Sequence, residues 1–198
     1  MIAATYTAGG AFAVQDAPEP TCGRDAIVLR VSAASICGTD VKIARHGHRK
    51  LTDCQRIILG HEVVGTIAEV GSDVTGFTVG QRLGVAPNIG CGQCPSCAAG
   101  RSNYCEQYAA IGINMDGAHA PYVRLPAPYI HQGNLVPLGE AISNQAAALL
   151  EPLSCVIGGV EAVDVGLGDV VVIYGVGPMG LLHVMLCRAL GAARVVAV

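Results

Sequence analysis

At 198 residues, 52% hydrophobic and 14% charged, with 26 glycines and no tryptophan, the chain is too apolar to be disordered. It is long enough for one large domain, or one domain and part of another. A formal net charge of −3 excludes a binder that relies on a basic surface, so no nucleic-acid partner is expected.

In chain order, "MIAATYTAGGAFAV" lacks the basic and continuous apolar regions of a secretory signal and reads as a strand, a Gly-Gly turn and a second strand. "AIVLRVSAASI", "EVVGTIAEVG" and "QRLGVAP" alternate Val, Ile and Thr with small or polar residues, as in a twisted, barrel-like sheet. The basic "RHGHRK" at 45–50 reads as a solvated loop. From about residue 141 the period becomes helical in "AISNQAAALLEPLSCVIGGVEAV", with Pro152 as an interruption. "DVVVIY" suits a strand buried on both faces. "PMGLLHVMLCRAL" is predicted helical, opening on a proline and closing at Gly191, and "ARVVAV" begins another strand. The order is a β-rich domain over 1–145, followed over 146–198 by the start of a β-α-β unit. No membrane span is expected. A cytoplasmic chain would keep its cysteines reduced, where clustered thiols signal metal rather than disulfides.

Three motifs carry chemistry. "SICGTD" (35–40) and "LGHEVVGTIAEVG" (59–71) supply Cys37, His61 and Glu62, with Asp40 near by. A thiolate, an imidazole and a carboxylate that leave a place open are the make-up of a catalytic zinc site. Taken singly, Cys37 reads equally as a small buried hydrophobe and His61 as a core histidine. "CGQCPSCAAGRSNYC" sets Cys91, Cys94, Cys97 and Cys105 at spacings that let four thiolates close on one ion, a structural zinc. A ferredoxin-type iron–sulfur site is the rival, but there the fourth cysteine follows after three residues and precedes a proline. Here seven residues intervene and Glu106 follows. Finally, "DVVVIYGVGPMG" places Gly175, Gly177 and Gly180, with Val176, Pro178 and Met179 between and beside them, after a strand and before a helix, the context of a dinucleotide pyrophosphate loop.

Together these segments, from "APEP" (17–20) through "CGTD", "GHEVVGTIAEVGSDV", the four-cysteine lobe, "EPLSC" and "GVGPMG", resemble the zinc-dependent medium-chain alcohol dehydrogenase family. The resemblance is to its sorbitol/polyol and threonine dehydrogenase branches above all. It implies a β-rich GroES-like catalytic domain followed by an α/β Rossmann-type domain that is truncated in this chain. It implies two zinc ions per chain, one catalytic and one structural, and NAD or NADP. The reaction would be hydride transfer between a polyol or secondary alcohol and the nicotinamide. Cys37, His61 and Glu62 would bind the catalytic zinc, with Glu151 as the remaining ligand or the holder of its water, and Cys155 as an alternative to Glu151. Asp40 would fix the tautomer of His61. Thr39 would relay the alcohol's proton, and Ile43 and Arg45 would shape the substrate pocket. A homo-dimer or homo-tetramer is implied for the full-length protein.

The chain departs from that family at Lys42, where a histidine is usual, and at His119 in "GAHAPYV", where a phenylalanine is usual. His119 reads as a tolerated surface change. His46, His48, His131 and His183 match no motif. Family members are longer, and the acidic residue that grips the ribose is expected about 20 residues past the glycines, at or beyond Val198. The alternative expectation is a truncated, catalytically inert zinc-binding relative that needs a partner or a C-terminal half.

Overall fold

The structure, a computed structural model, describes residues 1–198, the side chain of Ala11 excepted. It divides into two compact units, Met1–Leu149 and Leu150–Val198.

In the first unit, β1 (Ile2–Thr7) and β2 (Ala11–Asp16) form an antiparallel hairpin. Its turn needs left-handed backbone at Gly9 (φ 96°) and Gly10 (φ 147°), which only glycine adopts freely. After β3 (Ile27–Ser35) come α1 (Gly38–His46), β4 (Arg56–Ile58), β5 (Glu62–Val70) and β6 (Arg82–Val85). The short strands β7 (Asn88–Ile89) and β8 (Ala109–Ala110) pair antiparallel and flank the cysteine lobe, whose one α-helical turn is α2 (Pro95–Ala98). β9 (Tyr122–Leu125), α3 (Ala127–His131), β10 (Leu135–Pro137) and α4 (Asn144–Ala147) complete the unit.

The main sheet runs β10-β6-β5-β3-β9, and a second runs β2-β1-β4. Ile27, Leu29, Val63, Ile67 and Leu83 from the main sheet bury against Tyr129 of α3 to make the principal core. β3 and β5 are antiparallel with two irregularities of register, between Val28 and Leu29 and between Val31 and Ala33. Such bulges add twist and re-aim side chains near the strand end. Arg82 reaches from β6 to the Gly139 carbonyl (2.9 Å), the Ile142 carbonyl (2.8 Å) and Asn144 Oδ1 (2.8 Å), fastening the segment that leads into α4.

The basic cluster is only partly a loop. Arg45 and His46 form the last turn of α1. Lys50 donates to the Tyr108 carbonyl (2.6 Å) and the Glu106 carbonyl (3.2 Å), and its ammonium lies 4.0 Å over the Tyr108 ring. Lys50 therefore ties the chain after α1 to the end of the cysteine lobe.

The second unit contains α5 (Leu150–Ala162), β11 (Val170–Ile173), α6 (Pro178–Ala189) and β12 (Arg194–Ala197). β11 and β12 are parallel, joined through α6, as the β-α-β pattern implies. Pro152 does not interrupt the helix. It occupies the first turn of α5, where the missing N–H costs nothing, and the break falls instead between α4 and α5. β11 also differs from expectation. Val171 packs with Val156, Val160 and Cys187, but Val170 and Val172 on the opposite face are 67% and 51% exposed. Within this unit the helices cover one face only, so the continuous apolar run is not matched by two-sided burial. Among the described residues no helix is long and apolar enough to cross a membrane.

Candidate metal centres and dinucleotide loop

Register builds the first centre. Ser35, the last residue of β3, lies opposite Glu62, the first of β5, and the chain leaves β3 straight into α1 with Cys37 as the residue that caps it. His61 immediately precedes β5. Ligand atoms of Cys37, His61 and Glu62 thereby come within 4.8 Å of one another, with the histidine and the glutamate buried. The Ser35 hydroxyl donates to Glu62 Oε2. Burial, and then the Glu62 carboxylate, push the Cys37 thiol up, while the amide and hydroxyl of Thr39 pull it down. A thiol, an imidazole and a carboxylate confined in low dielectric fit a divalent cation of the zinc type.

Asp40 supports this set from behind. Its Oδ2 accepts the Cys37 N–H at 2.8 Å and its Oδ1 accepts the Gly60 N–H at 3.3 Å. His61 Nδ1 is 3.6 Å from Oδ1 and His119 Nε2 is 3.4 Å from Oδ2. Burial alone would raise the Asp40 carboxyl, but the two imidazoles and the Cys37 amide outweigh it and hold the group well below the ordinary carboxylate range. Nδ1 of His61 faces Asp40, so Nε2 is the ring nitrogen a metal would take.

Two sequence expectations change here. His119 is not a surface residue: its side chain is 14% exposed and turned onto Asp40. Ile43 does not line a substrate pocket, because it is buried with Tyr6, Ile57 and Leu59 in a core of its own. Arg45 is exposed.

The second centre is the lobe. Atoms of Cys91, Cys94, Cys97 and Cys105 also lie within 4.8 Å of one another. The Cys91 N–H donates to Cys105 Sγ and the Cys97 N–H to Cys94 Sγ, each at 3.4 Å. Amides of Gln93 and Cys94 bring the Cys91 thiol down to about 6. The Gly92 amide lowers Cys97, but desolvation and the neighbouring sulfurs prevail and push it up to about 11. Four sulfurs this close cannot all ionise unless a cation compensates them, and the donor set fits tetrahedral zinc with no position left open. Gln132 pins the lobe's base by accepting the Gly90 N–H (3.2 Å) and donating to its carbonyl (3.0 Å).

In the second unit, Glu151 sits in the first turn of α5. Cys155, one turn on, places its sulfur 3.6 Å from Glu151 Oε1, so the two alternative ligands of "EPLSC" face each other. The glycine loop runs from β11 to α6, with Gly177 capping the helix and Pro178 as its first residue. Gly175 has φ 93°. A Cβ at Gly175 or Gly177 would meet nothing, whereas one at Gly180 would lie 1.8 Å from the Gly175 carbonyl oxygen. The loop thus offers open backbone before a helix N-terminus, and its third glycine is fixed by packing, which fits a pyrophosphate. Val176 and Met179 are exposed, and Met179 lines a cleft of about 570 Å³ together with the three glycines.

Sequence reasoning missed His119, Ser35 and Lys50 as parts of these centres. Only His119 left a signal, as a departure from a familiar motif.

Residues 23–137 match the alcohol dehydrogenase GroES-like domain family. The chain is 36% identical over 186 residues to the L-threonine 3-dehydrogenase of Xanthomonas campestris pv. campestris (strain B100), covering 92% of this chain and 52% of that protein. A protein from Sinorhizobium meliloti 1021, solved with NADP and described as a zinc-binding dehydrogenase, superposes with TM-score 0.89 at 35% identity, over 99% of this chain and 55% of the other. Galactitol-1-phosphate dehydrogenase from Escherichia coli gives TM-score 0.87 at 27% identity, over 100% of this chain and 55% of that one. The chain spans about half the length of these relatives. A matched domain covering more than half of the chain, together with relatives of one kind, shows that this protein belongs to the zinc-dependent medium-chain alcohol dehydrogenase family.

Proposed function

We propose that the full-length protein is a zinc-dependent oxidoreductase that moves hydride between a polyol or secondary alcohol and NAD or NADP. The observation that carries this reading is the convergence of Cys37, His61 and Glu62 within 4.8 Å from segments far apart in sequence. The hydroxyl-bearing substrates named for the threonine and galactitol-1-phosphate relatives support the substrate class, and the NADP of the Sinorhizobium structure supports the cofactor class.

When bound, the metal supplies Lewis acidity toward an alcohol hydroxyl and the nicotinamide supplies the hydride acceptor. The chain's own groups do the rest. Cys37 and His61 would hold the metal and Glu62 would add a carboxylate, while Glu151 is a candidate ligand on the resemblance of "EPLSC" alone. Asp40 keeps His61 in the tautomer that presents Nε2. Thr39, half-buried beside the Cys37 sulfur, takes the substrate's proton toward solvent. The Gly175–Gly180 loop and the start of α6 hold the cofactor's pyrophosphate. Cys91, Cys94, Cys97 and Cys105 close a second, structural zinc. A cytoplasmic homo-dimer or homo-tetramer completes the proposal.

The test is metal stoichiometry joined to turnover in the full-length protein. Two zinc ions per chain and reduction of NAD or NADP by threonine, a polyol or a simple secondary alcohol are expected. Cys37→Ser should remove one ion and lower kcat by at least about a thousandfold, on the order of other losses of a transition-state charge stabiliser, while the lobe stays metallated. A single zinc per chain with no turnover against the whole panel would instead mark an inert zinc-binding relative.

A further inference from the structure

We propose that His119 is a positioning residue for the metal ligand His61, acting through Asp40. The inference rests on the metal reading of Cys37, His61 and Glu62 given above.

Asp40 is buried and shared evenly: each carboxylate oxygen receives one backbone amide and faces one imidazole. Oδ1 takes the Gly60 amide at 3.3 Å and faces His61 Nδ1 at 3.6 Å. Oδ2 takes the Cys37 amide at 2.8 Å and faces His119 Nε2 at 3.4 Å. Both amides belong to the segments that deliver the ligands, so the orientation of this one carboxylate is coupled to Cys37 and His61 together. His119 is the part of the arrangement that comes from elsewhere in the chain.

Its backbone leaves it little freedom. The Gly117 N–H donates to the Ile58 carbonyl (2.8 Å), the Ala118 N–H to that of Gly60 (2.9 Å) and the His119 N–H to that of Leu59 (2.9 Å). On its other side the Ala4 N–H donates to the His119 carbonyl (2.8 Å). The segment bearing His119 is therefore zipped to the residues that lead into His61. Space for the ring exists because residue 60 is glycine: a Cβ there would sit 2.6 Å from His119 Nδ1. A phenyl ring could fill the same volume but has no N–H to offer Oδ2. Without that ring nitrogen the carboxylate is held by the two backbone amides alone, and its orientation toward His61 Nδ1 is less constrained. The consequence falls on the metal, since outer partners of a ligating histidine typically change metal affinity by about 10–100-fold.

The experiment measures zinc affinity by chelator competition in the full-length protein, resolving the two ions. His119→Phe should weaken the Cys37 centre by about 10–100-fold and leave the four-cysteine ion unchanged. His119→Gln, which keeps an N–H donor, should recover most of the loss. In an Asp40→Asn background, His119→Phe should add little, because the carboxylate it positions is gone. An unchanged affinity in His119→Phe overturns the proposal, and so does a full loss that persists with Asp40→Asn. Should His119→Phe not fold, 15N shifts of the imidazole in the unaltered protein decide: a protonated Nε2 supports the role and an unprotonated Nε2 overturns it. A Cys37→Ser protein that keeps both ions would sink the underlying metal reading, whereas loss of one ion there beside silent His119 variants sinks the positioning role alone.

Discussion

Tyr129 shows how much one polar atom decides in a core. Its ring is fully buried, and its hydroxyl donates to the Pro87 carbonyl (2.6 Å) while accepting the Ile111 N–H (3.0 Å). Burial pushes its phenol above the ordinary tyrosine range, partly offset by the Ile111 amide. Tyr129→Phe orphans both backbone groups and should cost about 1–3 kcal/mol in urea unfolding. A pH signature separates this from simple loss of packing. Above about pH 10 the unfolded tyrosine gives up its proton while the folded one keeps it. The unfolded state then binds fewer protons, so stability falls as pH rises. The variant should lose that part of the alkaline slope, and an identical slope in both proteins would refute the assignment. At this scale the four lobe cysteines stood out by residue type and spacing, whereas Cys37 and His61, ambiguous when taken singly, were singled out as ligands by the family resemblance. The sequence could not show that Ile43 is core, because one isoleucine on a short helix looks the same on either face.

Elements explain why the glycine loop has its form. Gly180 on α6 lies against the carbonyl of Gly175, two residues past β11, where any Cβ would overlap that oxygen. Gly180→Ala should therefore push α6 away from β11, with a cost of about 1–3 kcal/mol for forced overpacking. Weaker binding of NAD or NADP should accompany it, read by fluorescence titration of the full-length protein. Alanine at Gly177 would meet nothing within the chain. If Gly177→Ala lowers cofactor affinity without lowering stability, the two glycines are separated as ligand approach and packing. Helix and strand order in this half was legible from periodicity. The place of Pro152 was not, because a proline reads as a break wherever it falls, and only the position of the preceding turn between α4 and α5 shows it to be a start.

Across the first unit, side-chain hydrogen bonds tie the ends of the lobe down: Gln132 at Gly90, and Lys50 at Glu106 and Tyr108. None of its cysteines belongs to the principal core of Ile27, Leu29, Ile67 and their neighbours. Stripping the lobe's metal should expose residues 91–105 to limited proteolysis while the far-UV circular dichroism of the sheets persists, because metal binding there substitutes for a local core. Global unfolding in step with metal loss would contradict this.

The strands of the first half, the β-α-β order of the second, the cysteine lobe and the glycine loop followed from the sequence alone, since periodicity, turn residues and ligand spacing are local properties; the helices of the first half, α1 with Asp40 among them, did not. What joined Ser35 to Glu62, brought Cys37 to His61 and turned His119 inward onto Asp40 was strand register and backbone zippering between distant segments. Such pairings depend on which strands become neighbours, and that is a property of the folded chain rather than of any stretch within it.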